Sequence, residues 1–168
     1  MPSGEELEAY YGKHFNYSWY QQRLYLKKAQ AWHRWRRMKF RFKKHGIQPG
    51  NFLDFGGGYG VFTRWMRDEG YDFFHYDQHC TNLFAPGHEA DISGSVRYEL
   101  ATAFEVFEHM AEPTKTVAHL LSISDSILTW KATRSFVGSP EWSEDLRARG
   151  ADISRVFCVP YEVDARLF

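Results

Sequence analysis

The chain has 168 residues, with 21 acidic and 21 basic side chains and an aromatic content of 18%. This length predicts one domain with a single core, and no repeat or low-complexity tract divides it. Cys80 and Cys158 form no Cys-x-x-Cys pair, which excludes a disulfide framework or a structural zinc site as the organising feature. No apolar run approaches about 18 residues and no secretory leader is recognisable, so neither a membrane span nor export is indicated and the cytoplasm is the expected compartment.

The amino-terminal third of the chain is strongly basic. Residues 1–53 carry eleven Lys and Arg against three Glu, which gives a net charge of +8, and the remaining residues carry a net charge of −8. Residues 5–45 are predicted to be largely helical, with Gly46 as the C-cap, because residues 17–45 contain no Gly or Pro. Apolar and aromatic side chains recur along one helical face, at Tyr20, Leu24, Ala31, Trp35, Met38 and Phe42.

Two interpretations of this basic helix stay open. Lys and Arg interleaved with Tyr25, Trp32 and Trp35 form a pattern that holds RNA or single-stranded DNA by phosphate contacts and stacking. The favoured interpretation is an amphipathic helix that packs its aromatic side chains on a sheet and leaves its basic side chains solvated, because the aromatic positions follow the apolar face.

Residues 51–62 have the pattern of a cofactor loop. A short apolar strand, Asn51–Phe55, contains Asp54 near its end and is followed by Gly56, Gly58 and Gly60, and a helix is predicted over residues 61–69. Glycines allow a sharp turn and a close approach to a ligand, and the free amides of a helix start point toward it. The spacing is wrong for a dinucleotide fingerprint, because Val61 occupies the third glycine position, and the Gly-Lys-Ser/Thr ending of a phosphate-binding P-loop is absent.

An acidic residue follows the next predicted strand. Residues 73–76 are apolar and end at Asp77, seventeen residues after Gly60, where a carboxylate is placed to accept hydrogen bonds from ribose hydroxyls. His75, His79 and Cys80 near Asp77 also raise the question of a metal. The sequence favours no metal site, because no second ligand cluster has suitable spacing.

A third strand is predicted over residues 100–104, followed by Glu105, Glu108 and His109. A helix is predicted from residue 113 to about residue 122 and a further strand over residues 125–131. This alternation of strands and helices predicts a parallel sheet with helices on both faces.

Two strings in this order resemble class I S-adenosylmethionine (SAM)-dependent methyltransferases. They are Asp-x-Gly-x-Gly-x-Gly at residues 54–60 and Glu-Val-Phe-Glu-His-Met-x-Glu-Pro at residues 105–113, and the second is typical of a small-molecule branch. The short string Glu89-Ala-Asp91-Ile92 between them resembles the family's third strand, whose acidic residue contacts the adenine amino group. The resemblance is strong over residues 51–113 and implies a Rossmann-like, doubly wound, mainly parallel α/β sheet with an N-terminal helical cap. It implies SAM as the cofactor, S-adenosylhomocysteine as the product, and cofactor contacts from Asp54, Gly56, Gly58, Tyr59, Gly60, Asp77, Gln78, Asp91 and Glu105.

The resemblance also implies a methyltransferase acting on a small molecule such as a sugar or a natural-product intermediate. His109 and Glu108 are the candidate catalytic residues, with His109 able to take a proton from the acceptor. A histidine that merely packs at the strand end remains an alternative for His109. Two further readings remain open for the whole chain: an RNA methyltransferase that uses the basic helix, and an inactive SAM-fold partner protein. The sequence predicts no metal and no membrane partner, and it leaves the oligomeric state undetermined.

The resemblance ends after Trp130. We expect one domain over residues 1–168, with a helical cap at 1–48, a cofactor-binding core at 49–131 and a divergent segment at 132–168. In that segment the pattern predicts a helix over 140–149 and two strands, at 153–159 and 161–168. These do not resemble the usual ending of the family, so the expected C-terminal strands are atypical or incomplete, and the C-terminus is expected to be truncated or altered.

Overall fold

The structure is a computed structural model, and it describes residues 24–130 and 140–159 of the chain. Four helices and five strands form along these residues, with no helix between the second and third strands, and two short 3-10 helices lie at Phe107–His109 and Ile153–Arg155. The helices are α1 (Leu24–His45), α2 (Val61–Asp68), α3 (Pro113–Ile123) and α4 (Pro140–Ala148). The strands are β1 (Asn51–Phe55), β2 (Asp72–Tyr76), β3 (Leu100–Ala103), β4 (Ile127–Trp130) and β5 (Val156–Val159).

The five strands form one sheet in the order β2-β1-β3-β4-β5, and every neighbouring pair is parallel. The predicted Rossmann-like α/β fold is therefore confirmed. Beyond β2 the chain adds a single parallel bridge. In it the amide of His75 donates to the carbonyl of His88, and the amide of Ala90 donates to the carbonyl of His75. The segment that resembles the family's third strand is thus reduced to one bridge at the sheet edge, between His75 and Glu89.

Helices cover both faces of the sheet because successive strand residues point to opposite sides. Phe52 and Phe73 belong to a core cluster with buried side chains of α1 and α2. Leu53 and Ala101 belong to a second cluster with buried side chains of α3 and α4. Two apolar layers therefore hold the sheet between the helix pairs.

Helix α1 docks through the apolar face that the sequence predicted. Ala31, Met38 and Phe42 are buried, and the Phe42 ring lies 5.2 Å from the ring of Phe52. At the end of the helix Gly46 adopts φ 62°, and the amide of Ile47 returns to the carbonyl of Phe42 at 2.9 Å. This is the Schellman arrangement expected of a glycine C-cap. The part of the predicted helix before residue 24 lies outside the described residues.

The carboxyl-terminal segment departs from its prediction in one place. The predicted helix is present as α4, but only Val156–Val159 of the predicted 153–159 strand is extended. Asp152 accepts hydrogen bonds from the amide of Ser154 at 3.0 Å and from its hydroxyl at 2.7 Å, which turns residues 153–155 into a 3-10 helix. Residues 131–139 and the predicted strand at 161–168 lie outside the described residues. Within the described ranges, no helix combines the length and apolar character needed to cross a membrane.

Candidate cofactor site

A cleft of about 300 Å³ opens where β1, β2 and β3 end. Its walls are the glycine loop after β1, residues 77–80 after β2 and residues 104–106 after β3, and Ala31 and Arg34 of α1 close one side. The chain turns in opposite directions after β1, since β2 lies on one side of it and β3 on the other. Open α/β sheets bind ligands at this point, outside the carboxyl ends of the strands.

Three of the loop glycines have backbone angles that other residues rarely adopt. Gly56, Gly58 and Gly60 have φ values of 71°, 62° and 81°. The amide of Gly56 donates to the carbonyl of Tyr76 at 2.8 Å, which ties the loop to the end of β2. A side chain at Gly56 would also collide with Val106, so both conformation and space require glycine there.

Asp54 lies beneath the loop, outside the lining of the cleft. Its carboxylate accepts the hydroxyl of Thr63 at 2.8 Å and that of Thr102 at 3.3 Å. Burial raises the pKa of Asp54 above the ordinary value of 3.8, and the hydrogen bond from Thr63 and the charges of His75 and Arg34 offset this only in part. In this structure Asp54 is a buried support that joins α2 to β3.

His75 supports the loop from β2. It is buried, it pairs in register with Asp54, and its Nε2 lies 2.8 Å from the carbonyl oxygen of Gly58. The sequence marked His75 only as a weak metal candidate. The one signal in the sequence of a role near the cleft was its position two residues before Asp77, because residues two apart point to the same side of a strand.

Asp77 directly follows β2, and three backbone amides donate hydrogen bonds to its carboxylate. Oδ2 accepts the amide of Gly58 at 2.9 Å, and Oδ1 accepts the amides of His79 at 2.8 Å and Cys80 at 2.9 Å. A carboxylate has roughly four acceptor positions, so one position remains for a ligand hydroxyl. Gln78 is exposed beside it and also lines the cleft.

An ion pair forms the opposite wall of the cleft. Nη2 of Arg34 on α1 lies 3.0 Å from Oε2 of Glu105, which directly follows Phe104 at the end of β3. Glu105 has φ 58°, the one positive φ outside glycine among the described residues. Such backbone strain persists where the surroundings enforce it and is concentrated at functional sites. Arg34 was missed from the sequence because nothing distinguishes it within a run of basic residues.

The other predicted site residues divide into two groups. Tyr59 and His109 line the cleft together with the residues above, whereas Gly60, Asp91 and Glu108 do not. Gly60 is the N-cap of α2. Asp91 is exposed, and hydrogen bonds from the hydroxyl of Ser93 and from its amide, at 2.8 Å, lower the pKa of the Asp91 carboxyl. Its predicted contact with the cofactor is therefore not supported by its position.

The parallel sheet, the glycine loop and the cleft at the strand ends define an open α/β protein with a candidate ligand site at the carboxyl ends of its strands. Residues 22–127 match a family model described as a methyltransferase domain. Because the match covers more than half of the chain, the chain belongs to this methyltransferase domain family. A search of curated proteins found no match, and a search of solved structures found none.

Proposed function

We propose that the chain binds SAM in the cleft and transfers its methyl group to a small-molecule acceptor. The observation that carries this proposal is the pairing of the positive-φ glycine loop with Asp77, whose carboxylate is fixed on Gly58 at 2.9 Å. A single acceptor position on a fixed carboxylate suits a ribose hydroxyl. Family membership supports methyl transfer as the reaction class.

The two ends of the cleft suit the two ends of this cofactor. Asp77 and Gln78 would hold the adenosine end, where ribose hydroxyls need an acceptor. The amino-acid end of SAM carries one carboxylate and one ammonium group. Arg34 and Glu105 present one cation and one anion side by side on the same wall. Each can give up part of their mutual ion pair and bind the group of opposite charge on the ligand.

The chemistry asked of the protein is mainly positioning. When bound, SAM supplies a methyl group on a cationic sulfur, which keeps the bonding electron pair and leaves as the thioether of S-adenosylhomocysteine. The residues of the cleft hold the acceptor oxygen or nitrogen in line with that methyl group and exclude water, which supplies much of the acceleration. His109 lines the cleft and is exposed, so its imidazole is placed to accept the proton that the acceptor releases. Glu108 does not line the cleft, so the proposal gives it no role in this step.

The motif at residues 105–113 supports a small-molecule acceptor, since it is typical of the small-molecule branch of the family. The cleft, at about 300 Å³, lies at the lower end of the range for small-molecule sites and would be occupied by the cofactor. Helix α1 covers one side of it through Ala31 and Arg34.

Calorimetry with SAM and S-adenosylhomocysteine tests the cofactor assignment. We expect Asp77→Ala and Gly58→Val each to remove most of the affinity, because one removes the acceptor and the other forces a side chain into a left-handed position of the loop. Asp72→Ala, at the other end of the same strand, is the matched control and should bind as the unaltered chain does. Normal binding by both cleft variants, with folding verified by circular dichroism, would show that the site is misplaced.

A further inference from the structure

Helix α1 has a second face that the cleft does not use. Its inner side carries the buried Ala31, Met38 and Phe42, and its outer side carries Trp32, Arg36, Phe40, Lys43 and Lys44. These five residues, the outer basic face, follow one line because residues four apart neighbour each other on a helix. The sequence placed Trp32 and Trp35 in one basic-aromatic pattern, but Trp35 is partly buried against the core and Trp65, so only Trp32 belongs to the outer basic face.

Charge on the outer basic face is of one sign. The sequence of α1 contains no Asp or Glu. On the inner side, Arg34 pairs with Glu105 and Lys39 pairs with Glu69 at 2.6 Å. Among residues 24–130 and 140–159, no carboxylate forms an ion pair with Arg36, Lys43 or Lys44, all of which are exposed.

Two aromatic rings are exposed between these charges. Phe40 is 67% exposed and Trp32 is 38% exposed, whereas Phe42 of the same helix is buried. The guanidinium carbon of Arg36 lies 5.3 Å from the centre of the Trp32 ring, so the two side chains form a cation–π contact on this face. Phe40 follows Trp32 by eight residues, which corresponds to about 12 Å along the helix axis.

We propose that the outer basic face binds a single strand of nucleic acid. The cations meet phosphates, and Trp32 and Phe40 meet bases, which is how proteins hold single strands without sequence preference. A duplex offers the phosphates but keeps its base faces stacked inside, so it uses only the charges. An anionic membrane requires a continuous apolar face, and the continuous apolar face of α1 is buried on the sheet.

This surface is separable from the proposed cofactor site. The cleft takes Ala31 and Arg34 from α1, and none of the five outer residues lines it. Binding of nucleic acid and binding of S-adenosylhomocysteine can therefore be measured and lost independently. The inference goes beyond the proposed methyl transfer and does not depend on which acceptor the cleft takes.

Fluorescence anisotropy of the full chain with a labelled RNA of about 16 nucleotides tests the proposal. We expect the single strand to bind about tenfold more tightly than its duplex, because only the single strand offers bases to the rings. We expect affinity to fall about 20-fold between about 50 and 200 mM salt, as three phosphate contacts on a single strand require. Equal binding of the single strand, the duplex and polyglutamate would overturn the proposal and leave a general polyanion surface.

Variants separate the charges from the rings. Arg36→Glu together with Lys43→Glu should abolish binding, and Phe40→Ala should weaken it about tenfold while leaving the salt dependence unchanged. Arg64→Glu, an exposed charge on α2, is the matched control and should bind as the unaltered chain does. Calorimetry with S-adenosylhomocysteine should be the same for all of them, which shows that the fold and the cleft are intact.

Other occupants of this face give different results. If Arg64→Glu weakens binding as much as the α1 variants do, the effect is one of net charge and the proposal fails. Binding only to vesicles of anionic lipid would assign the face to a membrane and overturn it. Sedimentation that shows dimers disrupted by Phe40→Ala, with no RNA bound, would assign it to a second copy of the chain.

Discussion

The imidazole of His75 lies 2.8 Å from the carbonyl oxygen of Gly58 and joins β2 to the glycine loop. A carbonyl only accepts, so Nε2 of His75 carries the proton in this contact. The amide of the same glycine donates to Asp77 at 2.9 Å. His75 and Asp77 thus hold Gly58 through its carbonyl and its amide, and the loop is preorganised for a ligand.

Removing the His75 donor should therefore weaken cofactor binding. We expect His75→Leu to lower the affinity for S-adenosylhomocysteine about five- to tenfold, the loss that corresponds to one hydrogen bond of about 1 kcal/mol. His75→Gln keeps an N–H donor and should recover part of the affinity. Calorimetry on the purified variants measures both effects.

His119 provides the control for this prediction. Its Nε2 makes the same kind of contact, 2.9 Å from the carbonyl of Ile92, but on the exposed side of α3 away from the cleft. His119→Leu should leave the affinity unchanged. Equal losses from His75→Leu and His119→Leu would mean that the effect arises from general destabilisation.

Gly56 and Gly87 separate backbone strain from crowding. Both have positive φ, 71° and 81°, but a side chain at Gly56 would meet Val106 whereas nothing lies within 4 Å of one at Gly87. Gly87→Ala should lower the free energy of unfolding by about 1–2 kcal/mol, the cost of a left-handed residue. Gly56→Ala should cost about 1 kcal/mol more, because over-packing adds to the strain. Urea unfolding measures both costs.

A second substitution tests the cause of that difference. Val106→Ala removes the two methyl groups closest to the added side chain, so the double variant Gly56→Ala, Val106→Ala should lose the crowding cost and retain the strain cost. If the two single substitutions lower the free energy of unfolding by amounts that simply add in the double variant, the side chain of Val106 is not the obstacle.

Local signals were sufficient to predict the sheet and the glycine loop. Strand lengths, the glycines after β1 and Asp77 at the end of β2 are features of short segments, and the parallel order follows from the alternation of strands and helices. The partner of Glu105 was not predictable, because Arg34 is 71 residues away and looks like its basic neighbours. Such a pair is fixed by how α1 docks on the sheet, which no local pattern encodes.

Asp91 and the strand predicted at 153–159 are two further places where the local sequence pattern was not sufficient. Asp91 was assigned to the site by motif, but its carboxylate is directed to Ser93, and the hydroxyl of Tyr98 holds its carbonyl at 3.1 Å. The segment around it adds only one bridge to the sheet, so the turn stays outside the cleft. At Asp152 a side-chain hydrogen bond to the backbone of Ser154 prevents an extended conformation that the apolar pattern alone favoured.

Buried Asp54 should make stability depend on pH in a defined direction. Burial raises its pKa above 3.8 in the folded chain, so between 3.8 and the folded-state value the folded state binds more protons than the unfolded state. The free energy of unfolding contributed by this group therefore falls as the pH rises through that window. Asp54→Asn keeps an acceptor for Thr63 and removes the titration, so its stability relative to the unaltered chain should improve from about pH 4 to about pH 7.

Urea unfolding at a series of pH values measures this change. Asp68→Asn, an exposed carboxylate on α2, is the control and should follow the unaltered chain closely. A relative stability of Asp54→Asn that decreases as the pH rises would mean that the ionised carboxylate is stabilised by its partners, against the direction argued from burial.

Glu105 combines strain with function, and two substitutions separate them. Glu105→Ala and Glu105→Gly both remove the carboxylate that pairs with Arg34. At φ 58° alanine keeps the strained backbone whereas glycine does not, so Glu105→Gly should unfold with about 1 kcal/mol more free energy than Glu105→Ala. Urea unfolding of the two variants side by side measures this difference.

The same two variants should lose cofactor affinity equally, since both lack the charge that would meet the ligand's ammonium group. We expect a loss of about tenfold for S-adenosylhomocysteine, in the range of one charge-assisted hydrogen bond. Methylthioadenosine lacks the amino-acid end, so its affinity should not change, and Arg34→Ala should show the same selectivity between the two ligands. If both ligands weaken together, Glu105 shapes the cleft as a whole and does not bind the amino-acid end.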